Sequence, residues 1–283
     1  MKIILNTIFA SAICMIFASC GNQGSSNTTQ LSSMDTLKPS TPSIKTAEVL
    51  YTSNGIQSKG FIAYDENLPG KLPIVVVVHE WWGITDYTKS RAKQLAGLGY
   101  FAIDADLFGD GKTAANPQEA MAFTGPYYKD PALTKTAVEA AIAKAVTFPQ
   151  ADSTRVAAIG YCFGGFVVLN AAKQGVPLKG VVSFHGGLGG LQPKKGVITG
   201  DILVCQGGID PFVPEAEQAA FKKSMDSVGA HYLFISYPGA LHAFTNPDAT
   251  ALGKKFHLPI AYNGAADSAS WKDMQTFFLT TLK

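Results

Sequence analysis

One stretch constrains this chain more than any other: Val156-Ala157-Ala158-Ile159-Gly160-Tyr161-Cys162-Phe163-Gly164-Gly165-Phe166-Val167-Val168-Leu169. It joins a buried-type strand, a turn bracketed by glycines and an apolar run of helical character, with a single cysteine at the apex. A strand that turns at once into a helix forces the apex residue into strained dihedrals. Side chains at Gly160 and Gly164 would crowd that turn. Gly-x-Cys-x-Gly is the nucleophile-elbow pattern with sulfur in place of oxygen. The helix that follows points its N-terminus at the sulfur, which favours the thiolate and offers backbone N–H groups to an oxyanion. A free cysteine is otherwise just a small apolar core residue, so the functional reading needs partners elsewhere.

The flanking sequence predicts strands alternating with helices. A hairpin around Ser53-Asn54-Gly55 joins strands at 46–51 and 59–64. The continuous run Ile74-Val75-Val76-Val77-Val78 reads as a strand buried on both faces. Further strands fall at 100–104, 155–159, 178–184, 202–206 and 231–236. Helices fall at 88–98, 117–123, 132–148, 163–173, 214–228 and 265–282. This alternation predicts an α/β fold, with a mostly parallel central sheet and helices on both faces.

The first 19 residues carry one lysine and then an apolar run too short to span a bilayer. They read as a signal peptide, with Ala18-Ser19-Cys20 resembling a bacterial lipobox whose cysteine is lipidated. Residues 20–43 are rich in Ser, Thr, Asn, Gln and Gly and read as a flexible tether. The folded domain is expected over 44–283, held to a membrane of the cell envelope by the N-terminal lipid, with plain secretion as the other possibility. Two of the four cysteines lie in the leader, so no disulfide framework is implied. A net charge of +2, without a basic stripe, gives nucleic acid nothing to bind.

Ligands bind at the carboxyl ends of strands in such sheets. Cys162, Asp210 and His242 all fall at strand ends, in the chain order nucleophile, acid, histidine. In this arrangement His242 takes the thiol proton, Asp210 fixes its tautomer and Cys162 forms a thioacyl intermediate. Individually the latter two are ordinary features, an Asp-Pro turn and a loop histidine. Together, in this order, they point to catalysis.

The domain resembles the dienelactone hydrolase family of the α/β-hydrolase superfamily. The stretches that carry the resemblance are His79-Glu80-Trp81-Trp82-Gly83, Gly160-Tyr161-Cys162-Phe163-Gly164-Gly165, Gly208-Ile209-Asp210 and Tyr237-Pro238-Gly239-Ala240-Leu241-His242-Ala243-Phe244. The resemblance implies hydrolysis of a small ester or lactone without a cofactor. It implies that Glu80 hydrogen-bonds the resting thiol until substrate releases it, and that the backbone N–H groups of Trp81 and Phe163 form the oxyanion hole. It also implies arginines that clamp a substrate carboxylate, and here this chain departs. Asn246 stands where one arginine would be, and no arginine occurs between Arg91 and Arg155. Lys112 or Lys129 could serve only as point charges. An uncharged or aromatic ester is therefore expected, in a cleft near Trp81, Trp82, Phe108, Phe123, Tyr127, Tyr128 and Phe244.

Other readings stay open at this point: a surface ligand-binding module that keeps the fold, or a thioesterase or peptidase with the same triad. The five histidines lack metal-ligand spacing. His185 reads as structural, and Asp104 and Asp106 as residues that fix the loop after their strand. If one strand lies between those of Cys162 and Cys205, the backbones are ~9–10 Å apart. A disulfide needs alpha carbons within about 7 Å, so Cys162 is expected to stay free.

Overall fold

The computed structural model describes residues 41–283. The leader, Cys20 and nearly all of the tether lie outside the described residues. The order is β1 (Ile44–Ser53), β2 (Ile56–Asp65), β3 (Leu72–Val78), α1 (Asp86–Gly97), β4 (Phe101–Ala105), α2 (Pro117–Lys129), α3 (Ala132–Val146) and β5 (Ala151–Tyr161). Then follow α4 (Phe163–Lys173), β6 (Gly180–Phe184), β7 (Asp201–Gly207), α5 (Glu215–Val228), β8 (Tyr232–Tyr237), α6 (Ala249–Phe256) and α7 (Gly264–Thr281).

The eight strands form one sheet in the order β1-β2-β4-β3-β5-β6-β7-β8. The β1–β2 and β2–β4 pairs are antiparallel and every later pair is parallel. This is the α/β-hydrolase arrangement expected. The valine run of β3 alternates between two cores. Val76 and Val78 pack with residues of α3, α4 and α5 such as Val138, Val167 and Phe221. Val75 and Val77 pack with residues of α1 and α7 such as Leu95 and Phe278. A strand covered on both faces has no polar side, hence its unbroken apolar sequence. Each such valine contributes on the order of 1.5–3 kcal/mol by burial.

Chain order runs outward from β3 in both directions, to β4 on one side and β5 on the other. At that switch point the loops after β3 and β5 diverge and leave a crevice. Glu80 follows β3 and Cys162 follows β5, so the topology alone brings them together.

Two elements differ from expectation. Helix α2 runs through Gly125-Pro126 to Lys129. Proline removes only its own N–H there, and the Tyr127 hydroxyl donates to the Leu107 carbonyl at 2.8 Å, which holds the last turn. Helix α6, only eight residues long, was not foreseen. Helices this short are stabilised by packing more than by propensity. The backbone of Gly253 lies against the Ile260 carbonyl so closely that a Cβ would sit 2.5 Å from it.

The elbow closes with the same tightness. A Cβ on Gly160 would lie 2.0 Å from the Gly164 carbonyl oxygen, and one on Gly164 would lie 2.1 Å from that of Val78. Both obstacles are backbone and cannot rotate away. Gly160→Ala is therefore expected to destabilise the domain by about 3 kcal/mol or more, at the upper end of overpacking costs. Urea unfolding would measure it; a loss under about 1 kcal/mol would mean the elbow relaxes more freely than its packing implies.

Candidate active site

Cys162 sits between β5 and α4 at φ 53° and ψ −114°, strained for a residue with a side chain. Its N–H is shared between the Phe184 carbonyl at 3.0 Å and His185 Nδ1 at 3.1 Å. Its carbonyl accepts from Gly165 and Phe166, which starts the helix. The N–H groups of Phe163 and Trp81 have no hydrogen-bond partner among the described residues. Two such unused donors, one on either residue, can receive a developing negative charge.

Asp210 follows β7 and His242 lies in the loop after β8, and the two meet with Nδ1 2.9 Å from Oδ2. That oxygen also accepts from Gln206 Nε2 at 2.7 Å, while Oδ1 accepts from the Phe212 N–H at 2.9 Å. Three donors fix the carboxylate's orientation. Cys162 and His242 line the same cavity, and the sulfur is among the groups that act on the imidazole. Burial disfavours the charged imidazole, but the neighbouring Cys162 and the hydrogen bond to Asp210 outweigh it and push His242 up to about 10. The surroundings of His242 thus favour a proton on its ring. Gln206 escaped sequence reading; its signal was a lone polar residue inside the apolar strand Ile202-Leu203-Val204-Cys205.

Glu80 lies in the same cavity, 3% exposed. The expected hydrogen bond to the thiol is not the one formed. Its carboxylate accepts from Asn246 Nδ2 at 2.6 Å. An amide is a stronger donor than a thiol, and a buried carboxylate takes the stronger partner. Burial pushes Glu80 up to about 7, against the opposing pull of Asn246, His242 and Arg91. The backbone at Glu80 is pinned from behind by His79. Its Nε2 accepts from the Leu107 N–H at 3.3 Å, so the ring proton is on Nδ1 and donates to the Glu80 carbonyl.

These groups open onto a cavity of about 530 Å³. Its apolar wall includes Trp81, Trp82, Phe166, Phe212, Leu252 and Ile260. The charged or titratable residues lining it are Glu80, Glu217, His242, Cys162 and Tyr128; neither Lys112 nor Lys129 does so. Of the expected aromatics, Trp81, Trp82 and Tyr128 line the cavity. Phe108, Phe123, Tyr127 and Phe244 do not, and Phe108, Tyr127 and Phe244 belong to the core. Helix α6 supplies Ala249 and Leu252, a wall that sequence reading missed.

Asp106 holds its loop as expected, accepting from the N–H groups of Lys59, Phe108, Gly109 and Gly111. Asp104 does not. It is fully buried without a hydrogen-bond partner among the described residues, and burial pushes it up to about 8. Strand β6 separates the strands of Cys162 and Cys205, and both thiols are free. Burial pushes Cys205 up to about 12 and keeps it unreactive. Among the described residues no group of three His, Cys, Asp or Glu is close enough to hold a metal, and no helix is long and apolar enough to cross a membrane.

Comparison with known proteins places this geometry among relatives. The sequence profile of the dienelactone hydrolase family matches residues 59–282. Two relatives bear the name "Putative carboxymethylenebutenolidase". One, from Methylorubrum extorquens, is 31% identical over 187 residues, 62% of this chain and 64% of that one. The other, from Synechocystis, is 27% identical over 259 residues, 86% of this chain and the whole of that one. Among solved structures, a dienelactone hydrolase-like promiscuous phosphotriesterase from metagenomic libraries superposes with a TM-score of 0.78 at 32% identity. It covers 85% of this chain and 99% of its own. A protein called m3DLH gives a TM-score of 0.80 at 35% identity, with the same coverage.

Proposed function

This chain belongs to the dienelactone hydrolase family and is a hydrolase, and we propose that it cleaves an uncharged ester or lactone through Cys162, His242 and Asp210. The observation that carries the reading is a cysteine and a histidine lining one largely apolar cavity free of lysine and arginine, with the histidine held from behind by an oriented aspartate. His242 holds the thiol proton as Cys162 attacks the carbonyl carbon. The oxyanion takes the N–H groups of Phe163 and Trp81. His242 then protonates the leaving alcohol, and water, deprotonated by the same ring, releases the acid from the thioacyl enzyme. Asp210 steadies the imidazolium throughout.

The substrate is uncharged in this reading because a carboxylate would enter beside Glu80 and Glu217, and no lysine or arginine lines the cavity to clamp it. The same wall suits a neutral phosphotriester, the substrate class named for one structural relative. Cys162→Ala should abolish hydrolysis of a short neutral aryl ester. The wild type should prefer that ester over its succinyl half-ester by about tenfold or more in kcat/KM. Unchanged turnover in the variant would defeat the cysteine mechanism; equal rates for the two esters would defeat the charge selection. A phosphotriester in the same panel decides the second reading.

Glu80 is proposed to act as a brake on the thiol from its seat on Asn246. It is neutral below about pH 7 and negative above, and only the negative form opposes the Cys162 thiolate. Glu80→Gln should therefore speed iodoacetamide alkylation of Cys162 about threefold or more above pH 7, with little effect below pH 6. An unaltered pH profile would show that the two groups are not coupled.

We also propose that Cys20 is lipidated after removal of residues 1–19, which tethers the domain to the cell envelope. The support is the Ala-Ser-Cys ending and the polar stretch beyond it. Expressed in a bacterium, the full chain should sediment with membranes, and Cys20→Ala should release it; an equal distribution of the two would refute the anchor.

A further inference from the structure

His185 follows β6, is fully buried, and takes a positive φ of 42°. It touches both halves of the proposed machinery. Its Nδ1 accepts from the N–H of Cys162 at 3.1 Å. A backbone N–H can only donate, so Nδ1 carries a lone pair and the ring proton is on Nε2. Nε2 lies 2.7 Å from Thr245 Oγ1 and therefore donates to it. Thr245 is three residues beyond His242, on the same loop.

Thr245 is itself held from α1. Its hydroxyl is 2.6 Å from the Tyr87 hydroxyl, and its carbonyl accepts from Arg91 at 2.8 Å. Arg91 is clamped by Asp267 of α7 and lies over the rings of Tyr87, Tyr161 and Trp271. The His185 ring meets those of His242 and Phe244 edge-to-face, each at 5.2 Å, and that of Tyr161 at 6.1 Å.

We infer that His185 is a positioning residue: as the neutral Nε2–H tautomer it ties the backbone of Cys162 to Thr245 and so sets the register between the thiol and the His242 ring. This rests on the reading of Cys162 and His242 as nucleophile and base. The loops after β5 and β8 come from strands separated by β6 and β7, and no ladder hydrogen bond joins them. The side chain of His185, just after the intervening β6, reaches both. Burial and the neighbouring charges of His242 and Arg91 keep the ring neutral, so it serves as acceptor and donor at once. An imidazolium would lose the acceptor and repel His242. Glycine at 186 and 187 leaves the far side of this turn without side chains, and Gly187 opens onto the cavity.

The test uses Thr245→Val, which keeps the side-chain shape and removes the acceptor for Nε2–H. Its kcat for a neutral aryl ester should fall about tenfold or more, as for a displaced catalytic pair, with KM within about twofold. Alkylation of Cys162 at pH 7, located by peptide mass, should slow in parallel. Thr245→Ser should recover both. His185→Ala should match Thr245→Val, and the double variant should lose little more than either alone, because the two act through one contact. If His185→Ala does not fold, the Thr245 pair decides. Wild-type kcat and alkylation in a folded Thr245→Val, with Cys162→Ala inactive, would overturn the inference. Activity retained in Cys162→Ala would instead overturn the reading of the nucleophile.

Discussion

Everything at the site depends on the closeness with which α4 departs from β5. The turn has room for one side chain at its apex and none at positions 160 and 164, where backbone from the helix and from β3 fills the space. That contact holds Cys162 in a strained conformation, aims the first turn of the helix at the sulfur, and sets the end of β3 beside it. The strain is local, and the surrounding sheet sustains it. Five parallel ladders and two apolar cores must be disrupted before the turn can relax.

Around the elbow the protein arranges charge by hydrogen bonding to backbone as much as by pairing ions. Asp210 is oriented by Gln206 and the Phe212 N–H, Glu80 by Asn246, His79 by the Leu107 N–H, and His185 by the Cys162 N–H. Two histidines near the thiol are kept neutral by burial, while the third is pushed toward its charged form by its partners. Environment alone separates their roles, since all three are imidazoles in the same interior.

Asn246 bears on the charge of the cavity. Its amide engages Glu80 as a neutral donor and adds no positive charge to the cavity. No lysine or arginine lines the cavity, and most of its wall is apolar. The absence of arginine between 91 and 155 was readable from the letters. That Arg91 itself turns inward to Asp267 and Thr245, away from the cavity, was not.

The amino-acid order by itself determined the alternation of strands and helices, the glycine-bracketed elbow, and the positions of Cys162, Asp210 and His242 at strand ends. Those features rest on local sterics and on short hydrophobic periods, which are written along the chain. Tertiary structure decided what touches what. Helix α6 has too few residues to announce itself, and it exists by packing its glycine against Ile260. Gln206, Thr245 and His185 are ordinary letters until the sheet order sets their loops side by side. Glu80 was placed correctly at the end of β3, yet its partner is an amide 166 positions away. Hydrogen bonds between distant loops depend on the crossing of the chain, and no sequence period encodes that crossing.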